Sequence, residues 1–234
     1  NAINLIDGLD GLAAGITLCG LVAVAAVGYE LNMLPVLWLS VLLIASILGF
    51  LVFNSRPASI FLGDCGSLTL GFLAGVLSLM ASQRGGGTID AIFPVLAFAI
   101  PIGDASFAIL RRILRGRSPF SPDKEHFHHR LMAKGLSHGR AVLTMWAIAA
   151  ISAFVAIGAA FGRGDQLTAL LVFFGLGGFI LLRYLGYFRL HDEAGNLQGF
   201  FQKRESTKES EKAVGVAEKK FRQVRELDEI PAIL

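Results

Sequence analysis

The stretch that decides the fold is NSRPASIFLGDCGS, residues 54–67, which lies between the apolar runs Val36–Phe53 and Leu68–Ala81. The stretch is polar, and Asp64 is its only acidic residue. A carboxylate at the mouth of a membrane segment is energetically costly unless a function uses its charge. Asp64 is therefore the first candidate for a functional residue.

The residues around Asp64 suit a site that holds anions and cations together. Gly63 and Gly66 allow a tight turn and the close approach of a ligand, and Ser67 is expected to cap the helix that follows. Backbone N–H groups at a helix start attract anions, and an adjacent carboxylate can hold a divalent cation that bridges to phosphate. The alternative is structural, with Asp64 and Ser67 only capping a transmembrane helix.

The composition excludes an ordinary soluble domain. Hydrophobic residues make up 54% of the chain and charged residues 17%, and the mean hydropathy is +0.62; soluble domains carry about 25% charged residues. The net charge of +3 comes from Lys and Arg placed unevenly between apolar runs, which indicates membrane topology and not nucleic-acid binding. Cys19 and Cys65 lie far apart, so we predict two reduced thiols and no disulfide.

Apolar runs long enough to approach the roughly 20 residues of a membrane-crossing helix recur along the chain. Backbone groups cannot stay unpaired in lipid, so the predicted fold class is all-α, a polytopic bundle of about six transmembrane helices. We expect a membrane segment over residues 1–188 and a polar cytoplasmic tail over residues 189–234. The runs are Leu12–Tyr29, Val36–Phe53, Leu68–Ala81, Ala91–Leu110, Ala141–Phe161 and Leu167–Phe188.

The linkers between these runs differ sharply in charge. The segment Arg111–Arg140 contains eight Lys and Arg residues, whereas the turns near Arg84 and Arg163 hold one each. By the positive-inside rule this segment is cytoplasmic, and alternating threading places Asn1–Asp10, residues 54–67 and the tail on the same face. The unusual acids and histidines are thus predicted to share the cytoplasmic face.

The motif NAINLIDGLDGL, at the start of the chain, carries two acids and an amide at intervals of three residues. In a helix this spacing places Asn4, Asp7 and Asp10 on one side, and Gly8 and Gly11 leave room for a ligand. Such a group suits metal–phosphate chemistry or a sugar hydroxyl. The alternative is a solvated helix start whose acids complement the helix dipole.

A further acid lies within the Ala91–Leu110 run. Pro101 is expected to kink this helix, and Asp104 lies seven residues before Arg111, where the basic segment begins. A structural ion pair between Asp104 and Arg111 or Arg112 is the favoured interpretation, because the three residues share a helix face. A part in catalysis is the alternative.

The sequence RGRSPFSPDKEHFHHRL, residues 115–131, gathers histidines and cations. Pro119 and Pro122 are expected to stop the preceding helix. Imidazoles among cations can grip a diphosphate; zinc binding and simple contact with anionic lipid are the alternatives. The gathered side chains are His126, His128, His129, Arg117, Lys124 and Arg130.

Together, NAINLIDGLDGL, FLGDCGS and SPFSPDKEHFHHRL resemble three cytoplasmic motifs of the polyprenyl-phosphate N-acetylhexosamine-1-phosphate transferases, of the glycosyltransferase family 4 type. The resemblance extends from Asn1 to about Phe188. It implies a multi-pass enzyme of the bacterial plasma membrane that transfers a sugar-1-phosphate from a UDP-N-acetylhexosamine to a polyprenyl phosphate lipid. UMP is released on the cytoplasmic face, and the product starts a cell-envelope glycan. The implied cofactor is Mg²⁺, with Mn²⁺ as a substitute, and homo-oligomer formation is left open.

The resemblance also implies roles for single residues. By position, Asp64 matches the magnesium-binding aspartate of the family, and Asp7 and Asp10 match acids of its active site. We expect these three residues to be catalytic, with Asp7 and Asp10 in positioning or proton management. The expected substrate-binding residues are Asn4, Asn54, His126, His128, His129, Arg117 and Arg130.

The His-x-His-His form at 126–129 is similar to the bacterial enzymes that transfer N-acetylglucosamine-1-phosphate, because the peptidoglycan branch carries three consecutive histidines. The family also has an acidic pair and further transmembrane helices before the matched part. The resemblance therefore implies the C-terminal part of a longer transferase, and this segment alone is not expected to be active.

Two other classes of protein compete with the transferase interpretation. A transporter also carries intramembrane acids and kinked spans, but it predicts acids near mid-bilayer and two related halves. The second competitor is a non-catalytic scaffold derived from the same fold.

Overall fold

The computed structural model describes residues 1–83, 88–115, 118, 125–161, 165–184 and 186. Within these ranges every regular element is a helix, which agrees with the all-α prediction. The predicted tail, residues 189–234, lies outside the described residues, and its boundary stays a prediction. The helices are α1 Ala2–Ile6, α2 Leu12–Glu30, α3 Leu34–Asn54, α4 Gly63–Ser82, α5 Thr88–Ala97, α6 Ala99–Leu114, α7 Phe127–Ala133, α8 His138–Phe161 and α9 Asp165–Tyr184.

The chain divides into two compact units. The first contains Asn1–Leu110 and Pro122–Tyr187, and the second contains Arg111–Ser121 and Phe188–Leu234. Of the second unit, the structure describes residues 111–115, the first four of which end α6, and residue 118. Every contact discussed below lies within the first unit.

Helix α2 is the centre of the first unit and packs against α3, α4 and α8. It is apolar on all sides, as is typical of a helix with no face toward water. Two of its glycines accept large aromatic rings: a Cβ at Gly15 would lie 1.9 Å from Trp146, and one at Gly20 would lie 2.3 Å from Phe98. Any larger residue at either position would push α8 or the α5–α6 junction away from α2.

Four helices are long and apolar enough to cross a membrane, counting only described residues: α2, α3, α4 and α8. Helix α3 exposes a row of large apolar side chains, including Trp38, Leu42 and Val52, which suits contact with lipid. The protein is therefore a membrane protein. The predicted total of about six spans goes beyond these four and stays a prediction.

The predicted Ala91–Leu110 span is not one kinked helix. It consists of α5 and α6, which are separated at Phe98. Pro101 explains the break, because it has no N–H to offer the carbonyl of Ala97 and its ring crowds that carbonyl. Phe98 and Ile102 still bond back to carbonyls four residues earlier, so the axis is interrupted only locally.

Candidate active site

The first residues of α4 are bonded to α1. Nδ2 of Asn4 donates hydrogen bonds to Oδ1 of Asp64, at 2.8 Å, and to Oγ of Ser67, at 3.0 Å. The prediction that Ser67 caps the following helix was wrong, because α4 already begins at Gly63. Ser67 lies in the second turn, where its hydroxyl donates to the Gly63 carbonyl at 2.9 Å, as Ser often does inside a helix.

The prediction of one helix that carries Asn4, Asp7 and Asp10 was also wrong. Helix α1 ends at Ile6, and Asp7 has non-helical torsion angles of φ −76° and ψ 61°. Gly11 adopts φ +75°, a left-handed conformation that glycine tolerates best, and α2 begins directly after it. Asp7 and Asp10 therefore lie in a turn between two helices.

Asn4, Asp7 and Asp10 nevertheless line one cavity of about 300 Å³. The cavity lining also includes Asp64 and Asn54, so three carboxylates and two amides face one small volume. Partial burial raises the pKa of Asp7, and the nearby charge of Asp64 raises it further. This cavity favours a cation that would relieve the repulsion. Its lining is Asn4, Asp7, Gly8, Leu9, Asp10, Asn54, Phe61, Leu62, Gly63 and Asp64.

Asn54 and Asp10 hold the walls of the cavity together. Oδ1 of Asn54 accepts a hydrogen bond from the Gly11 N–H, at 3.1 Å, while its Nδ2 donates to the Ile60 carbonyl, at 2.8 Å. Oδ2 of Asp10 accepts from the Ala58 N–H at 3.3 Å. Asn54 is buried, and these bonds fix the segment after α3 against the turn before α2.

His138 supports the acidic turn from α8 and was missed in the sequence. It begins α8, and its Nε2 accepts a hydrogen bond of 3.1 Å from the backbone N–H of Asp10. The available signal was a histidine directly before an apolar run, on the face predicted for the acidic motifs. The bond brings the starts of α2 and α8 to the same end of the bundle.

The three histidines of the motif are clustered, but on a short helix and not in an open loop. His126 directly precedes α7, and His128 and His129 lie in its first turn. The rings of His126 and His128 are nearly parallel, with 6.0 Å between their centroids, and the centroids of His128 and His129 are 4.2 Å apart.

His128 connects this cluster to the acidic cavity. Its ring is buried against Gly8, such that a Cβ at Gly8 would lie 2.5 Å from Nε2 of His128. Neither ring nitrogen has a hydrogen-bond partner in the described part of the protein. Burial, with smaller effects of nearby histidines, lowers the pKa of His128 to about 4, so the ring is neutral at pH 7.

The predicted basic residues are only partly placed. Nη2 of Arg130 donates to Oε2 of Glu125 at 2.6 Å, and Arg117 lies outside the described residues. Asp104 is bonded to His126 and to the Phe127 N–H. Its predicted pairing with Arg111 or Arg112, which belong to the second unit, stays a prediction.

Across the described residues, no three Asp, Glu, His or Cys side chains are arranged to hold a metal ion by themselves. A bound Mg²⁺ ion commonly has one or two carboxylate ligands, with water and substrate phosphate oxygens completing the shell. Asp64, exposed beside this cavity, fits that pattern for Mg²⁺, and the described side chains do not form a closed zinc site.

Comparison with known families agrees with the two acidic motifs. Residues 1–82, which include the cavity and both acidic motifs, match the family described as glycosyl transferase family 4. Over these residues the chain matches this family. The match to family 4 ends at the last residue of α4, before the histidine motif begins.

Several curated relatives match a larger part of the chain. It is 47% identical over 157 residues to a probable undecaprenyl-phosphate N-acetylglucosaminyl 1-phosphate transferase of Bacillus subtilis (67% of this chain, 44% of the relative). It is 42% identical over 173 residues to a decaprenyl-phosphate N-acetylglucosaminephosphotransferase of Mycobacterium leprae (66% and 44%). A phospho-N-acetylmuramoyl-pentapeptide-transferase of Halalkalibacterium halodurans is 36% identical over 157 residues (67% and 46%). The chain spans a little under half the length of these relatives.

Proposed function

We propose that this protein transfers N-acetylhexosamine-1-phosphate, in the first place N-acetylglucosamine-1-phosphate, from a UDP-sugar to a polyprenyl phosphate, with release of UMP. The observation that carries the proposal is the single cavity lined by Asp7, Asp10 and Asp64, with His128 packed directly behind Gly8. The names of the Bacillus and Mycobacterium relatives support N-acetylglucosamine as the sugar. The His-x-His-His form of the motif supports the same choice.

The charges of the reactants explain why such a cavity is useful. A UDP-sugar and a lipid phosphate are both anions, so their approach requires nearby positive charge. Mg²⁺ bound at Asp64 would supply that charge, weaken the diphosphate bond and stabilise UMP as it leaves. Asp64 suits this role because Asn4 occupies Oδ1, which fixes the carboxylate in one orientation.

The other residues would place the two substrates in line. An oxygen of the lipid phosphate attacks the phosphorus that carries the sugar, and the bond from this phosphorus to UMP breaks; such a step depends mainly on positioning. His129 and Arg130 are suited to hold phosphate oxygens. The bond from Asp10 to the Ala58 N–H supports a positioning role for Asp10, whereas the raised pKa of Asp7 suits proton management.

We also propose that the site opens to the cytoplasm at the bacterial plasma membrane. The site lies where α2, α4 and α8 begin and α3 ends, so its polar residues gather at one end of the membrane helices. The Lys and Arg residues of 111–140 follow the positive-inside rule for a cytoplasmic segment.

A radiolabel assay tests the proposed function. The protein as the cell makes it, reconstituted in vesicles, is mixed with UDP-sugar labelled in the hexosamine, and with polyprenyl phosphate. We expect label in the lipid fraction and free UMP, both abolished by a chelator and restored by Mg²⁺ or Mn²⁺. Labelled sugar that enters the vesicles without lipid-linked product would instead indicate a transporter. Absence of both signals would favour the scaffold.

A further inference from the structure

Asp104 is a buried carboxylate on α6, with 1% of its surface exposed. Its Oδ2 lies 2.8 Å from Nδ1 of His126, and its Oδ1 accepts a hydrogen bond of 2.8 Å from the Phe127 N–H. Burial of a carboxylate is strongly destabilising unless hydrogen bonds replace its hydration. Both oxygens therefore hold α6 to the start of α7, where the histidine motif lies.

The bond to Asp104 decides which nitrogen of His126 carries a proton. An ionised carboxylate can only accept a hydrogen bond, so Nδ1 of His126 must be the donor. The neutral ring then keeps its lone pair on Nε2. The same bond fixes the orientation of the His126 ring, whose plane lies within 3° of the plane of the His128 ring.

We propose that Asp104 is a positioning residue for the histidine motif. It keeps the His126 proton on Nδ1, leaves Nε2 as the atom that meets the substrate, and holds α7 where His128 packs against Gly8. The kinetic part of this inference rests on the proposed transferase function. The part that concerns the His126 tautomer does not.

A purely structural role is the competing explanation, in which Asp104 only satisfies the first N–H of α7. Asp104→Asn separates the two roles. The amide oxygen can still accept from the Phe127 N–H, so the helix start is kept. The amide NH₂ then faces Nδ1 of His126 and can only donate, which forces the neutral ring to carry its proton on Nε2.

The first test measures the tautomer of His126 by ¹⁵N NMR, with histidine labelled, in the wild-type protein and in Asp104→Asn. We expect the proton of the neutral ring on Nδ1 in the wild type and on Nε2 in the variant. His138 is an internal control, because its Nε2 accepts from the Asp10 N–H and its tautomer should not change. A wild-type His126 protonated on Nε2 alone would overturn the proposal without any variant.

The second test is a double-mutant cycle with His126→Asn, which keeps a donor near the position of Nδ1 but has no Nε2. Asp104→Asn alone should lower kcat/KM on the order of 10- to 100-fold, the usual range for a lost partner of a functional imidazole. In the His126→Asn background, Asp104→Asn should lower kcat/KM less than about twofold, because its effect passes through the His126 ring. Glu30→Gln, the same change at the exposed far end of α2, is the matched control and should leave the rate unchanged.

The outcomes separate this inference from the proposed function. An equal loss from Asp104→Asn in both backgrounds would show a purely structural role, and full activity with a switched tautomer would show that the tautomer is irrelevant. A wild-type protein without transfer activity would contradict the transferase function. In such a protein, the measured tautomer of His126 would still test whether Asp104 holds the proton on Nδ1.

Discussion

Two carboxylates of the first unit, Asp64 and Asp104, are held in opposite ways. Asp64 is exposed at the start of α4, and its Oδ1 accepts from Asn4. Asp104 is buried in α6, and both of its oxygens bond the start of α7. A carboxylate oriented by one bond and open to a cavity can bind a ligand, whereas a buried one whose oxygens both bond the start of α7 is suited to orient its neighbours. The same side chain thus supports two different roles.

The strongest test of this comparison is Asp64→Asn. Loss of the charge should lower the transfer rate about 10²–10³-fold, as expected for one electrostatic stabiliser of a transition state. Excess Mg²⁺ should not restore the rate. Rates at saturating UDP-sugar are compared with those of Glu30→Gln. Near-normal turnover by Asp64→Asn would remove Asp64 from the site and end the contrast with Asp104.

Asn4→Ala sharpens the comparison by removing the bond that orients Asp64. The Asp64 carboxylate keeps its charge but loses its fixed direction. We therefore expect activity to fall about 10-fold, the lower end of the range for losing a residue that orients a metal ligand. The Mg²⁺ concentration for half-maximal activity should rise. Ser46→Ala, which removes an exposed hydroxyl that bonds the Leu42 carbonyl of its own helix, is the control. An unchanged Mg²⁺ requirement would contradict the role of Asn4.

Gly8→Ala tests whether the two regions are coupled. The new Cβ would lie 2.5 Å from Nε2 of His128, so the ring or the turn must move, at a cost of about 1–3 kcal/mol in stability. Activity should fall together with the melting temperature in vesicles or nanodiscs. Gly49→Ala, at a helix position with nothing within 4 Å, should not destabilise the protein. Equal melting temperatures for both variants would show that α7 does not press on the acidic turn.

The last prediction concerns pH. The pKa of His128 is about 4 in the folded protein and near 6.5 when unfolded, so the unfolded chain binds more protons between these values. Above about pH 6.5 the neutral ring of His128 does not lower the free energy of unfolding. As pH falls from 6.5 toward 4, this free energy decreases by at most about 1.4 kcal/mol per pH unit. His128→Gln should flatten this slope, as measured by thermal unfolding at each pH. A slope that is identical in the two proteins would contradict the burial of His128.

Much of the architecture followed from the sequence, because apolar runs in a membrane protein can only be helices. The runs that became α2, α3, α4 and α8 were found with small errors at their ends. The largest such error was at Gly63, five residues before the predicted run. The break at Phe98 shows that a proline can end a helix three residues upstream.

The grouping of the acids was predictable, but its geometry was not. The spacing of Asn4, Asp7 and Asp10 suggested one helix face, yet the left-handed Gly11 interrupts the helix and the side chains reach the cavity from a turn. The bonds of Asp104 to α7 and of His138 to Asp10 join residues far apart in the chain. Periodicity within a helix carries no information about such contacts.

The bond between His138 and Asp10 also bears on biosynthesis. Its two ends are 128 residues apart, and it closes the acidic turn only when α8 lies beside α2. Since a chain is made from its N-terminus, the acidic motifs reach the bilayer long before the histidine that secures them. A ribosome-bound intermediate that stops before residue 138 should therefore hold every cavity carboxylate and still lack the finished site.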